Sequence, residues 1–192
     1  MKRVTKGKPG YLNYKRKAEI IRTIIYFLLV AAVFFLGYSQ THTKKNLLTI
    51  VAVVGCLPAC KALVGVITRF PYSSIAADKV TKIRSKAAHL TVIYDLIVTS
   101  REKIMPIECI VISGSTIFGY TANKKVDLKY TATHIRSILS QNRLNVSSIK
   151  IFDSYSSFLA RVEGLSSIAE VEKNDTKQQE QQMAQVILNI FM

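Results

Sequence analysis

Two long apolar segments near the N-terminus constrain the fold of this chain more than any other feature. The first, residues 23–38 (TIIYFLLVAAVFFLGY), carries no charge, and the second, residues 47–68, carries a single charge at Lys61. A bilayer core about 30 Å thick needs roughly 20 helical residues, so each segment is long enough to cross it. The sequence therefore predicts two transmembrane helices, at about 20–38 and 47–68.

The basic residues predict the orientation of this pair of helices. One basic cluster precedes the first span and another follows the second, whereas the connecting loop, residues 39–46, has only Lys44 and Lys45. By the positive-inside rule, both termini lie in the cytosol and the loop faces outward. The predicted location is the cell membrane, crossed twice, and the anionic headgroups of the lipid bilayer are an expected partner. The residues expected at the membrane interface are Arg16, Lys17, Arg22, Lys61 and Arg69.

Two of these assignments have alternatives. A cleaved signal peptide also begins with basic residues, but its apolar part is about 7–15 residues long and ends at a small-residue site such as Ala-x-Ala, which is missing before this loop. A second apolar segment also follows at once, so insertion of a helical hairpin is favoured. Lys61 could belong to an ion pathway. Its place about two helical turns before Arg69 instead favours a side chain that reaches the headgroups.

The net charge of +15 and the pI of 9.9 would be compatible with a nucleic-acid-binding protein. Most of the excess, however, lies in the two clusters that flank the apolar segments, and from His89 onward the charges nearly cancel. The charge therefore indicates a membrane surface, and nucleic acid is not an expected partner. The three cysteines and three histidines have no spacing typical of a zinc site, so no metal or cofactor is expected.

The rest of the chain alternates between strand-like and helix-like patterns. The predicted fold class is α+β, with the transmembrane hairpin followed by a small cytosolic domain of the order α-β-β-β-α-β-α. The predicted elements are a helix at 73–88 capped by Ser73 and Ser74, strands at 90–99, 106–112 and 116–121, a helix at 127–142, a strand at 147–152 and a helix at 154–162.

Four regions follow from these patterns: a basic cytosolic N-terminus (1–19), two transmembrane helices (20–70), the α/β domain (73–168), and a polar linker with a C-terminal amphipathic helix (169–192). The apolar side chains of this last helix recur at helical spacing. They could pack back on the domain, lie on the membrane surface or bind a partner, with the first preferred. The candidate partner-binding residues are Met183, Val186, Ile187 and Ile190.

The order α-β-β-β-α-β and the segment IECIVISGSTIFGYTANKK resemble the restriction-endonuclease-like superfamily, in particular its nuclease-related (NERD) branch. In that family, an acid in the second strand and a Glu-x-Lys at the end of the third hold a divalent metal that activates water for phosphodiester cleavage. The resemblance covers residues 73–152 and implies that Glu108 is the second-strand acid. The Glu-x-Lys positions hold Thr121 and Asn123 instead, so the resemblance implies a degenerate active site.

A single carboxylate is too few to hold a catalytic metal ion, so the sequence argues against an enzyme. The predicted function is a membrane-anchored, non-catalytic module that presents a degenerate nuclease-like domain in the cytosol to an unidentified protein partner. The alternatives are a small accessory subunit of a larger membrane complex and a metal-dependent nuclease with a migrated active site. The nuclease would use Asp95, Glu108 and Lys124 or Lys125. Asp95 and Glu108 could form a pair or be solvent-facing edge residues, and the second is preferred.

Overall fold

The computed structural model describes residues 4–42, 46–100, 102–171 and 177–190. The chain forms two compact units, one of Leu12–Ser73 and one of Met1–Tyr11 together with Ser74–Met192. The first unit consists of two long apolar helices, and the second is an α/β domain with a small mixed sheet. The α+β class with two long N-terminal helices is thus confirmed.

Two antiparallel helices, α1 (Tyr11–Thr41) and α2 (Leu47–Arg69), form the first unit. A Cβ atom at Gly37 would lie 2.7 Å from the Cβ of Leu48, so the glycine permits the helices to approach closely near the connecting segment. Both helices are long and apolar enough to cross a membrane. Their large apolar side chains are mostly exposed, as lipid-facing residues are.

Helix α1 begins earlier than the predicted span. Pro9 and Gly10 are the last helix-breaking residues before the apolar segment, and the chain is helical from Tyr11 onward. The basic residues that directly precede the predicted span therefore belong to the same helix as the span.

The α/β domain has the predicted order of elements. They are α3 (Ala77–Lys86), β1 (Thr91–Thr99), β2 (Ile104–Ser113), β3 (Thr116–Tyr120), α4 (Leu128–Gln141), β4 (Ser148–Phe152), α5 (Tyr155–Val171) and α6 (Lys177–Ile190). The predicted cap by Ser73 and Ser74 is wrong, because α3 starts after Ala76, which forms no side-chain capping bond. By contrast, Asp127 caps α4 by accepting from the backbone N–H of Tyr130 at 3.0 Å.

The sheet has the strand order β1-β2-β3-β4, with two antiparallel pairs and a parallel pair between β3 and β4. Helices cover both faces. The first core, between the sheet and helices α4 and α6, contains Ile110, Ile135 and Ile187. The second core, between the sheet and helices α3 and α5, contains Ile83, Val111 and Phe158. The domain is therefore a three-layer arrangement with its sheet in the middle.

The segment before α1 folds with the α/β domain. The backbone N–H of Tyr94 in β1 donates to the carbonyl of Gly7 at 2.9 Å. Gly7 has φ +84, and a Cβ atom there would lie 2.8 Å from Leu188 Cδ2, so only glycine suits this position. The N-terminal segment thus covers part of β1, which is otherwise an edge strand.

Candidate functional site

Strands β1 and β2 share one irregularity, at the position where two acidic residues face each other. Tyr94 pairs with Cys109 and Leu96 pairs with Ile107, which leaves Asp95 opposite Glu108 without pairing the two. Asp95 has φ +57, a left-handed conformation that aspartate tolerates better than most residues. Alternation between the two faces shifts by one residue here, so that the irregularity sets the direction of both carboxylates.

Asp95 is buried, with 1% of its surface exposed. Its Oδ2 accepts the backbone N–H of Gly10 at 2.7 Å, and its Oδ1 accepts the backbone N–H of Ile75 at 3.0 Å. Gly10 directly precedes α1, and Ile75 follows α2 in the sequence. One carboxylate therefore fixes the two segments of the domain that lead into and out of the helical unit. The prediction that Asp95 and Glu108 are solvent-facing edge residues is therefore wrong: Asp95 is on the edge strand but buried, and Glu108 is half-buried on the internal strand β2.

Glu108 belongs to a cluster that joins four elements around Lys79, and we call its members, Lys79, Glu108, Tyr120 and Tyr155, the Lys79 cluster. The ammonium of Lys79 lies 3.7 Å from Glu108 Oε2 and donates to the hydroxyl of Tyr120 at 3.0 Å. It also lies 4.9 Å from the ring centre of Tyr120 and 5.3 Å from that of Tyr155. The hydroxyl of Tyr155 in turn donates to the backbone carbonyl of Lys79 at 3.3 Å.

The electrostatics of this cluster keep Lys79 charged. Burial lowers the pKa of Lys79, but the hydrogen bond with Tyr120 and the negative charge of Glu108 outweigh it, so that its pKa is raised above the ordinary value. A lysine that acts as a nucleophile or general base needs the opposite shift. Lys79 is therefore a fixed cation that neutralises Glu108, and the cluster is suited to holding elements together or to recognition, not to proton transfer.

Cys109 follows Glu108 in β2, and its buried thiol belongs to the second core. This thiol is also unsuited to catalysis. Burial raises the pKa of its thiol well above the usual value, and the charges of Asp95 and Glu108 add to the shift. The neighbouring Tyr94 is affected similarly, since burial raises its pKa to about 12. Both groups are protonated at neutral pH, and a protonated, buried thiol is a core residue and not a nucleophile.

Of the residues of the alternative nuclease site, Asp95 and Glu108 lie opposite each other, but neither Lys124 nor Lys125 forms an ion pair with them among the described residues. Lys124 and Lys125 are exposed in the turn after β3. Thr121 is buried, and its hydroxyl donates to the carbonyl of Pro106 at 2.8 Å. Throughout residues 4–42, 46–100, 102–171 and 177–190, no three His, Cys, Asp or Glu side chains converge as metal ligands would. The side chain that does reach Glu108, Lys79, was not singled out from the sequence, because its helix gives no sign of which strand it faces.

The residues predicted at the membrane interface occupy different environments in the helical unit. Arg16 donates to the carbonyl of Phe70 at 3.4 Å, and its guanidinium carbon lies 5.9 Å from the centre of that ring. Lys17 is exposed on α1. Arg22 and Lys61, one on each helix, line a common cleft. The side chain of Arg69 lies outside the described residues.

The C-terminal helix packs on its own domain. Met183 and Ile187 are fully buried in the first core, and Val186 packs against it. The structure thus corrects their assignment as partner-binding candidates, because core side chains offer no surface to a partner; the side chain of Ile190 lies outside the described residues. The predicted polar linker, residues 170–182, is also shorter than expected, because α5 extends to Val171 and α6 begins at Lys177. Glu180, within it, is buried and accepts from the Thr91 hydroxyl and the Gly114 backbone N–H, both at 2.7 Å.

Comparison of the chain with known proteins adds no relative to these observations, since no protein-family model, no curated protein and no solved structure matches it.

Proposed function

We infer that this chain is a membrane-anchored, non-catalytic module. In this proposal, α1 and α2 cross the cell membrane as a hairpin, both termini lie in the cytosol, and the α/β domain binds a protein partner there. Two helices of sufficient length and apolarity support the membrane placement. One basic cluster lies at the start of α1 and another follows α2, at the ends away from the connecting loop, and both support the orientation.

The domain is proposed to have restriction-endonuclease-like topology. In its support, the element order is α-β-β-β-α-β, and the hairpin of β2 and β3 is followed by a helix and a parallel strand, β4, beside β3. Glu108, the residue at the place of the family's second-strand acid, lies on β2, an internal strand of the sheet. Fold alone does not supply an activity, so the side chains at this place decide what the domain does.

One observation carries the non-catalytic proposal: both acidic residues near the proposed active-site position already have protein partners. Asp95 accepts two backbone N–H groups, and Glu108 is neutralised by Lys79. A hydrolytic metal site needs several oxygen ligands that are free to converge on one ion. The domain is therefore proposed to have kept the fold of a nuclease while its acidic residues took structural roles.

The substitution Glu108→Gln tests this proposal directly. Calorimetric titration of the full-length protein in detergent with Mg²⁺ or Mn²⁺ is expected to give no specific binding, and the variant is expected to match the wild type. Incubation with DNA or RNA and either metal is expected to give no cleavage. Glu108 and Lys79 are both partly exposed, so the loss of their ion pair costs about 1 kcal/mol or less in stability.

Glu102→Gln is the matched control, because Glu102 is exposed and lies just before β2. Metal binding or cleavage that Glu108→Gln abolishes and Glu102→Gln preserves would establish the nuclease alternative in place of the non-catalytic module.

The orientation has its own test. In intact cells, a cysteine at Thr43, in the segment between the two helices, is expected to react with a membrane-impermeant maleimide. A cysteine at the exposed Ser73 is expected to react only after the membrane is permeabilised. The wild type is the blank, since Cys56 and Cys60 lie within α2 and Cys109 is buried. Labelling at Ser73 without permeabilisation would show that the orientation is wrong.

A further inference from the structure

A cleft opens between α1 and α2 within the helical unit. Its volume is about 360 Å³, and the small residues Ala62 and Gly65 leave room on the α2 side. Arg22 and Tyr26 of α1 face Lys61 of α2 across it. The cleft thus gathers two cationic side chains from facing helices at one place, beside apolar helix surfaces.

Neither of these two cations forms an ion pair within the described part of the chain. Among the described residues, neither Arg22 nor Lys61 takes part in a hydrogen bond of its side chain either. Glu19 also lines the cleft, so the acidic side chains there number one against two cations. A cationic group in or next to an apolar span is costly unless it is paired, and an anion in the cleft would relieve this cost.

The depth of the cleft identifies the available anion. Arg22 directly precedes the uncharged segment of α1, and Lys61 lies about two helical turns before Arg69, the last residue of α2. In a hairpin that spans the membrane, both cations lie near the level of the lipid phosphates on the side of the two termini. Basic pockets between transmembrane helices on this side are suited to the headgroups of anionic lipids.

We propose that the cleft binds the headgroup of an anionic glycerophospholipid. Arg22 and Lys61 contact the phosphate, and the hydroxyl of Tyr26 is a further donor. The acyl chains run from there towards the bilayer centre, along the exposed apolar residues Leu57 and Val54 of α2. This site rests on the membrane placement proposed above. It differs from general attraction to an anionic surface, because it requires two particular cations.

The test compares charge-neutralising variants of the full-length protein. Each protein is reconstituted into phosphatidylcholine vesicles that contain a minor fraction of phosphatidylglycerol, extracted in mild detergent and analysed by mass spectrometry for retained lipid. Wild type is expected to retain phosphatidylglycerol in preference to phosphatidylcholine. Arg22→Gln and Lys61→Gln are each expected to reduce this retention about fivefold, as expected for one cation at a headgroup.

Lys17→Gln is the control, because it removes the same charge from an exposed position of α1 that does not line the cleft. It is expected to retain phosphatidylglycerol like the wild type. Equal retention by all three variants would overturn the site, since the cations would then act only through overall charge. Flotation with vesicles of phosphatidylcholine alone reports membrane insertion separately. Failure to insert contradicts the membrane placement, whereas insertion without selective retention contradicts only the lipid site.

Discussion

Replacing Asp95 with alanine is expected to lower the free energy of unfolding of the α/β domain by about 3–5 kcal/mol. The substitution leaves the part-buried N–H of Gly10 and the buried N–H of Ile75 without their acceptor, and each hydrogen bond to a charged group contributes about 1.5–3 kcal/mol. Alanine also tolerates φ +57 less well than aspartate does. Thermal unfolding of the full-length protein in detergent, followed by the near-ultraviolet circular dichroism of buried tyrosines in the domain, measures the loss.

Two further variants separate the loss of the two hydrogen bonds to Asp95 from other effects of the substitution. Asparagine also tolerates a positive φ and keeps one acceptor oxygen. The free energy of unfolding of Asp95→Asn is therefore expected to lie between those of the wild type and Asp95→Ala. Asp153→Ala removes an exposed aspartate and is expected to change the stability by less than about 0.5 kcal/mol. If Asp95→Ala is no less stable than Asp153→Ala, then Asp95 does not hold the two segments together.

Loss of the hydrogen bond between Gly10 and Asp95 is also expected to loosen the N-terminal segment, and proteolysis can measure this. In Asp95→Ala, the bond from Gly10 is lost, while the packing of Gly7 and its bond to Tyr94 remain. The fraction of molecules whose backbone is open to a protease rises as the free energy of local opening falls. Tryptic cleavage after Lys6 is therefore expected to be faster in Asp95→Ala than in Asp153→Ala.

The order of elements could be predicted from the sequence because most of them have a strong local pattern. The uncharged run 23–38 has one plausible structure, and α4 combines helical spacing with an aspartate cap. In β1 the strand itself was predicted within one residue, at 90–99 against Thr91–Thr99. Local hydrophobic periodicity and turn residues are sufficient for these assignments, since they involve no distant part of the chain.

The environment of Asp95 could not be predicted in the same way. Strict alternation along β1 assigns each residue to one face, but the positive φ at Asp95 shifts the alternation by one residue. The partners of Asp95 lie 85 and 20 residues away in the sequence, at Gly10 and Ile75. No local pattern contains that information, and so an acidic residue in a strand was assigned to the solvent.

The start of α6 was missed for a related reason. Residues 170–182 are rich in Glu, Lys and Gln, a composition that is typical of a solvated linker. Burial of Glu180 depends on Thr91 at the start of β1 and on Gly114 in the turn between β2 and β3. A buried carboxylate is stable when hydrogen-bond donors such as these reach its oxygens. These donors come from distant parts of the chain, so only the tertiary structure shows them.

Ile187→Ala is expected to destabilise the α/β domain by about 2–5 kcal/mol and to lower its thermal midpoint by about 10 °C. Ile187 is 1% exposed in the first core, where its side chain packs with residues of the sheet and of α4. Because the surrounding sheet and helices are fixed, the removed atoms leave a cavity that closes only in part. Thermal unfolding of the full-length protein in detergent measures this shift.

The control for this substitution is Gln185→Ala, on the exposed face of the same helix. Since alanine favours helix, this variant is expected to keep the midpoint of the wild type or to raise it slightly. The comparison decides what the apolar stripe of α6 does. A large loss in Ile187→Ala alone means that α6 is part of the domain core, and any partner must then bind a different surface. Equal midpoints would mean that α6 is detached in solution, and its stripe would again be the candidate surface for a partner or for the membrane.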